Sequence, residues 1–190
     1  MLMRVLLLLS LLGCAGCAEL AKLAAGPSPS FVAVKSYSIS LDQVGQTEIR
    51  FQAPVLSDQQ IDEKENVISY KAKSRNGVKI LIFAEEHGPV SEHNGCRAHH
   101  YAKSPEAVTK YVKAVSTETL AFEQYHAELS ILQPRINLGR NKHFATAHAY
   151  FLYGQRCYNF HVIKALQSER DKKLVSSIVQ SIAYDEVLDD

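Results

Sequence analysis

The densest cluster of side chains that could do chemistry lies between residues 87 and 100. Its order is His87-x5-His93-x2-Cys96-x2-His99-His100. Imidazole and thiolate groups together suit zinc or copper, and close spacing lowers the entropic cost of assembling a site. This order matches no established zinc-binding spacing, and histidines in a polar segment that contains Gly and Pro are often only solvated. Metal binding by these five residues is therefore an alternative, and we predict no resident cofactor.

Cys96 also has a second possible use. Cys96 and Cys157 are the two cysteines outside the N-terminal region. If the chain is exported, a disulfide is the simplest use of an even pair in an oxidising compartment. The bond would close a loop of about 60 residues, worth about 4 kcal/mol in the chain-entropy model. We predict this disulfide, with a metal ligand at Cys96 or two buried thiols as the alternatives.

Three further histidines could converge on one face of a sheet. His126, His148 and His161 fall on consecutive predicted strands. His161 shares its face with Cys157, because side chains alternate with a period of two along a strand. The simpler interpretation is a half-exposed sheet surface with ordinary polar residues.

Catalytic motifs find little support in the sequence. It contains no G-x-S-x-G elbow, and no S-x-x-K motif that comes with the other penicillin-binding signatures. It also contains no C-x-x-C-H haem attachment and no Gly-rich phosphate loop. A Cys–His pair built on Cys96 or Cys157 stays open as the basis of a hydrolase. We predict a protein that is not an enzyme.

The elements that would position these residues follow from hydrophobic periodicity. Alternating apolar residues predict strands near 37–41, 47–51, 68–72, 78–83, 125–131, 144–150 and 158–162. Asn76-Gly77 between two apolar runs predicts a hairpin turn. The segment from Glu85 to Lys103 is interpreted as a polar insert.

Two helices are predicted beside these strands. One begins at Ser104-Pro105-Glu106 and has an apolar stripe at helical spacing, formed by Val108, Tyr111, Val112 and Val115. The other is capped by Ser168 and has a longer stripe: Leu174, Val175, Ile178, Val179 and Ile182. The fold class expected is α+β, with one antiparallel sheet of about six or seven strands and two main helices, over residues 36–184.

The order of these elements resembles the PsbP-like superfamily. The resemblance covers residues 36–184 and includes the ending Tyr150-Phe-Leu-Tyr-Gly-Gln-Arg-Cys-Tyr-Asn-Phe160, which an amphipathic helix follows. It contains no catalytic motif. The resemblance implies a sandwich of a sheet with helices and a non-catalytic binding or assembly role.

The N-terminus has the pattern of an export signal over residues 1–17. A basic start at Arg4 precedes an apolar run over 5–12, and Gly13-Cys14-Ala15-Gly16-Cys17 follows. The run is far shorter than the roughly 20 residues that span a bilayer. A cysteine after a small residue resembles the lipobox of bacterial lipoproteins, which implies acylation at Cys14 or Cys17. Cleavage after Ala18, without a lipid, is the alternative.

The remaining segments complete the expected organisation. Residues 18–35, rich in Ala, Pro and Ser, predict a tether, and residues 185–190 an acidic tail. Alanine follows both candidate lipid cysteines, and the resemblance to bacterial lipoproteins then implies the outer membrane, facing the periplasm. A net charge of +1, from 21 basic and 20 acidic residues, gives no electrostatic basis for nucleic-acid binding. The leading hypothesis is a lipid-anchored envelope protein that binds another envelope protein.

Overall fold

Seven antiparallel strands form the main sheet of this computed structural model, which describes residues 33–41, 47–64, 66–86, 93–103, 112–122, 124–135, 143–153 and 155–186. These strands are β3 (Leu56–Lys64), β4 (Val67–Ser74), β5 (Lys79–Glu86), β6 (Val112–Ala121), β7 (His126–Pro134), β8 (His143–Tyr153) and β9 (Arg156–Leu166). Their order in the sheet is β3-β4-β5-β9-β8-β7-β6.

The turn between β4 and β5 is the hairpin predicted at Asn76-Gly77. Gly77 has a φ of 82°, a conformation that L side chains rarely adopt. Its N–H donates to the carbonyl oxygen of Ser74 at 3.0 Å. The turn fixes the register in which Ile68 and Tyr70 lie opposite Ala84 and Ile82.

A smaller sheet of three strands contributes to the same core. It consists of β1 (Val34–Ser40), β2 (Thr47–Pro54) and β10 (Ala183–Glu186), with β2 in the centre. Its buried side chains include Ile49 and Phe51. The ring of Phe51 meets the ring of Phe160 on β9 edge to face, with centroids 4.9 Å apart.

The C-terminal helix α2 (Glu169–Gln180) covers one face of the main sheet. The residues of β5, β8 and β9 that point toward this face are buried at every second position. On β8 most of them are alanines, which leave room for the helix. These residues are Ile80, Ile82, Ala84, Ala145, Ala147, Ala149, Phe151, Tyr158, Phe160 and Val162.

The other helix is not where the sequence analysis placed it. Helix α1 spans His93–Lys103, within the segment interpreted as a polar insert. Residues 104–111, where a helix was predicted, lie outside the described residues, and Val112 and Val115 belong to strand β6. Short runs of β-branched residues suit a strand as well as a helix. Helix α1 was missed because it has no apolar stripe and packs through polar contacts and a disulfide.

The α+β class with an antiparallel sheet and two main helices is confirmed. Strand β1 begins at Val34, within the expected tether, and β10 extends to Glu186, within the expected acidic tail. Residues 1–32, with the export signal and both candidate lipid cysteines, lie outside the described residues. Within the described part, neither helix has the length and apolar character that crossing a membrane requires.

Candidate functional site

The side of the main sheet that faces α1 gathers six histidines, and we call it the histidine face. Period-two alternation places His126 on β7, His148 on β8 and His161 on β9 away from the α2 core. Helix α1 packs against these three strands and adds the other histidines. The members of the histidine face are His93, His99, His100, His126, His148 and His161.

A disulfide joins α1 to the sheet. Cys96, in the first turn of α1, is bonded to Cys157 at the start of β9, with the two Cα atoms 5.1 Å apart. Both cysteines are fully buried and pack with Tyr150. This is the pair that the sequence analysis predicted. The bond holds α1, and with it the histidines of that helix, against the sheet.

At the centre of the face, His148 and His161 lie directly opposite each other on β8 and β9. Their rings stack, with centroids 3.8 Å apart and planes 19° apart. The Nδ1–H of His148 donates to Oδ1 of Asn159 at 3.1 Å. Nε2 of His161 shares a hydrogen bond of 2.6 Å with the hydroxyl of Thr146. Each ring is thus fixed by one polar neighbour and by the other ring.

The environment of this pair favours two neutral rings. Burial lowers the pKa of His148, although its hydrogen bond with Asn159 and the charge of Glu128 act in the opposite direction. Burial also lowers the pKa of His161, well below the usual value, and repulsion from His148 adds to this effect. A proton on one ring would repel a proton on the other. The pair is therefore uncharged at neutral pH.

Two acidic residues of the sheet hold α1 from either side. Nη2 of Arg97 forms an ion pair of 2.7 Å with Oε1 of Glu128 on β7. The same carboxylate accepts hydrogen bonds from Nε of Arg97 at 2.7 Å and from Nε2 of His126 at 3.3 Å. Glu85 on β5 accepts one from Nε2 of His99 at 3.1 Å. Glu128 is buried, so its charge needs these partners.

The residues of the metal hypothesis are used in other ways. Cys96 is in the disulfide, and Nδ1 of His93 accepts the backbone N–H of Leu152 at 2.9 Å. Burial lowers the pKa of His93, which favours this acceptor form. His99 and His100 lie near Glu85, and His87 lies outside the described residues. In the described ranges, no three His, Cys, Asp or Glu side chains are grouped to hold a metal ion.

Sequence reasoning offered a shared face for His126, His148 and His161 as the alternative to a half-exposed polar surface, and it assigned them no partners. Period two puts two of their partners on the same face, since Glu128 follows His126 by two positions and Asn159 precedes His161 by two. Arg97 could not be found, because α1 itself was not predicted. The face holds a helix in place and can accept protons on a neutral ring pair.

A cleft of about 480 Å³ opens elsewhere, between β1 and β3. Its lining is uncharged and combines hydroxyl and amide groups with apolar side chains: Ser38, Ile39, Ser40, Gln59, Gln60, Ile61 and Tyr70. Ile61 is 56% exposed, which is high for a large apolar side chain. Such a lining can hydrogen-bond a neutral polar group and also bury an apolar one.

Comparisons with known proteins return similar solved structures. No protein-family model and no curated protein matches the chain. The chain is similar to the solution structure of cyanobacterial PsbP (CyanoP) from Synechocystis sp. PCC 6803, with a TM-score of 0.49 and 12% identity over 84% of this chain and 98% of that one. It is also similar to the Ran-binding protein Mog1p of Saccharomyces cerevisiae, with a TM-score of 0.46 and 11% identity over 80% of this chain and 96% of that one. A PsbP-like structure is thus among those it resembles.

Proposed function

We propose that this chain is a lipid-anchored protein of the bacterial cell envelope, whose domain binds another envelope protein without catalysing a reaction. The lipid is attached at Cys14 or Cys17 after removal of the export signal, and residues 18–35 form the tether. The protein is held at the outer membrane and faces the periplasm.

The observation that carries this proposal is the buried Cys96–Cys157 disulfide. Structural disulfides persist in oxidising compartments and are rare in a reducing cytosol. The bond lies in the folded domain, and the export signal lies in the N-terminal sequence. Two separate parts of the chain therefore support the same compartment.

The side chains of the histidine face support a binding domain more than an enzyme. His148 and His161 are engaged with Asn159 and Thr146, and His93 with the backbone of Leu152. Histidines held in this way stabilise the packing of α1. The metal alternative is weakened for the same reason, since its thiolate is in a disulfide.

The cleft between β1 and β3 supports the binding role. It is concave, its lining is uncharged, and the exposed side chain of Ile61 stands beside it. An apolar side chain of a partner that covered Ile61 would gain roughly 25 cal/mol for each Å² of apolar surface buried. We assign the partner contact to this cleft.

The intact mass of the mature protein tests the anchor. We expect a mature N-terminus at Cys14 or Cys17 and an added mass of two or three acyl chains. Cys14→Ser and Cys17→Ser are matched variants, and only one of them should abolish acylation. Cleavage after Ala18 without added mass contradicts the anchor, and recovery in the inner-membrane fraction contradicts the assigned membrane.

Site-specific photo-crosslinking in intact cells tests the binding role. A photoreactive amino acid replaces Ile61 beside the cleft or, as control, Lys173 on the exposed surface of α2. We expect one discrete adduct with another envelope protein from position 61 and none from position 173. The same adducts from both positions, or no adduct from position 61, would argue against partner binding at the cleft.

A further inference from the structure

The two end strands of the main sheet differ in how they protect their outer edges. In the described part of the chain, β3 and β6 each pair with one neighbour. The register of β3 shifts between Ser57 and Gln60, and Asp58 within it has a φ of 49°. Bulges and charges prevent an edge strand from pairing with another chain. The charged residues of β3 are Asp58, Asp62, Glu63 and Lys64.

Strand β6 also contains a bulge, but it has fewer charged residues than β3 and, unlike β3, no residue with a positive φ. It is ten residues long, and eight of its ten side chains are exposed. Its charged residues are Lys113 and Glu118, one of each sign. Val115, at the bulge between Ala114 and Ser116, is 55% exposed. A long exposed edge with an exposed valine and balanced charges is a template for strand addition.

We propose that β6 pairs antiparallel with β6 of a second copy of this chain, so that the two main sheets join across a two-fold axis. Such an interface is isologous. Every contact between a residue of one copy and a residue of the other therefore occurs twice, once on each side of the axis. The inference concerns a surface apart from the cleft and does not depend on the partner assigned to that cleft.

The bulge limits the possible registers. Before the bulge, Lys113 lies opposite Gln133 and faces the α2 side of the sheet. After the bulge, Glu118 lies opposite Leu129 and faces the same side. The α2 side is thus formed by odd-numbered positions before the bulge and even-numbered positions after it. Antiparallel self-pairing that keeps each face continuous must place an odd position opposite an even one.

Charge complementarity selects one of these registers. In an antiparallel self-pairing the two residue numbers of every facing pair have the same sum, which identifies the register. In the register with a sum of 231, Lys113 of each copy lies opposite Glu118 of the other, and both pairs are on the α2 side. The neighbouring registers place Lys113 opposite Ser116 or Leu120 instead. In the selected register Val115 faces Ser116 of the other copy next to the axis. Two opposite-charge pairs and the covered valine therefore favour the same arrangement.

Zero-length carbodiimide crosslinking of the full chain in detergent tests this register directly. Equal amounts of unlabelled and ¹⁵N-labelled protein are mixed, and peptides are identified by mass spectrometry. We expect an amide bond between Lys113 and Glu118 that joins one light and one heavy peptide. Within one chain these residues are about 16 Å apart along the strand, too far for such a bond. A dimer without this link, or a protein that stays monomeric, overturns the proposal.

A charge swap provides the second arm. Lys113→Glu and Glu118→Lys should each weaken dimerisation about tenfold, since both symmetry-related pairs change at once. The double variant Lys113→Glu/Glu118→Lys should restore it. Lys73→Ala is the control, because it removes an exposed ion pair of 2.8 Å with Asp58 at the other end of the main sheet and leaves β6 unchanged. Single variants that dimerise like the wild type, or no recovery in the double variant, contradict the register.

Discussion

His148 and His161 show how the position of a residue decides its chemistry. Both residues alternate along their strands with core residues, so their side chains lie on the opposite side of the sheet, which α1 covers. Stacked at 3.8 Å and held by Asn159 and Thr146, they have lowered pKa values because burial penalises the charged form. A proton on either ring would place a charge beside the other ring in this packed layer.

We predict that acid destabilises the fold through these histidines. In the unfolded chain a histidine titrates near pH 6.5, and in the folded protein the pKa values of His93, His148 and His161 are lower. Their contribution to stability is complete above pH 6.5 and is lost as the pH falls below it, since the unfolded state then binds more protons. Each can add up to about 1.4 kcal/mol per pH unit to the slope. Urea unfolding between pH 5 and 7.5 measures it.

His161→Gln should reduce this slope by up to about 1.4 kcal/mol per pH unit, which corresponds to one proton, because the residue with the strongly lowered pKa is gone. His143→Gln is the control, since His143 lies at the start of β8, outside the histidine face. An unchanged slope in His161→Gln, or equal reductions in both variants, would show that the acid sensitivity has another source.

At the scale of the elements, the sequence predicted strands better than helices. Alternation identified the strands of the main sheet that carry the buried residues, because each has one apolar face. Apolar residues at helical spacing also predicted α2, whose stripe of Val175, Ile178 and Val179 is buried. It missed α1, because the helix is stabilised by Cys96 and by polar contacts from residues distant in sequence. Periodicity reports burial against a core and does not detect a helix held by such contacts.

We predict that the disulfide contributes about 4 kcal/mol to the free energy of unfolding, since Cys96 and Cys157 are 61 positions apart. The double variant Cys96→Ala/Cys157→Ala should lose this part of the free energy of unfolding, and its helix α1 should open more often. Guanidinium unfolding measures the first effect, and hydrogen exchange measures the second. Amides of α1 should lose more protection than those of α2, which has its own apolar contacts. Equal loss in both helices would mean that α1 does not depend on the bond.

Asp171 stabilises the start of α2. Its Oδ2 accepts the backbone N–H groups of Gln167 and Ser168, each at 2.9 Å, and Lys164 lies 3.3 Å from Oδ1. Burial acts to raise the pKa of Asp171, but these hydrogen bonds and the lysine outweigh it and lower the pKa. The stabilisation is therefore present above pH 3.8 and is lost as the pH falls below it.

We predict that Asp171→Ala costs about 1 kcal/mol near neutral pH, since it removes the capping interaction. As the pH falls below 3.8 the difference from the wild type should shrink, because the carboxylate takes up a proton first in the unfolded chain and, at lower pH, in the folded protein. Glu169→Ala, in the same turn but exposed, is the control and should cost only a few tenths of a kcal/mol. Denaturant titrations at both pH values measure these costs, and a constant difference would contradict the charged cap.

At the scale of the whole molecule, the small sheet and the main sheet share their aromatic core. Phe51 on β2 meets Phe160 on β9, and Tyr184 on β10 stacks on Phe151 of β8 with centroids 4.5 Å apart. The strands β2 and β10 are far apart in sequence, so their pairing depends on this common core. The sequence predicted β1 and β2 but not β10, which extends into the expected acidic tail. The division of the strands into two sheets follows from packing between distant segments.

We therefore predict that the two sheets unfold together. Phe51→Ala should cost about 3–5 kcal/mol, because it leaves a cavity against Phe160 in a closely packed core. Val55→Ala, at a position 48% exposed, is the control and should cost less than about 0.5 kcal/mol. Denaturant unfolding is followed by far-UV circular dichroism for the whole backbone and by fluorescence of a tryptophan introduced as Tyr37→Trp beside Phe51, since the chain has no other tryptophan. Coincident transitions in both variants indicate one cooperative unit. If the tryptophan signal of Phe51→Ala changes at lower denaturant than the backbone signal does, the small sheet unfolds on its own and the shared core does not couple the two sheets.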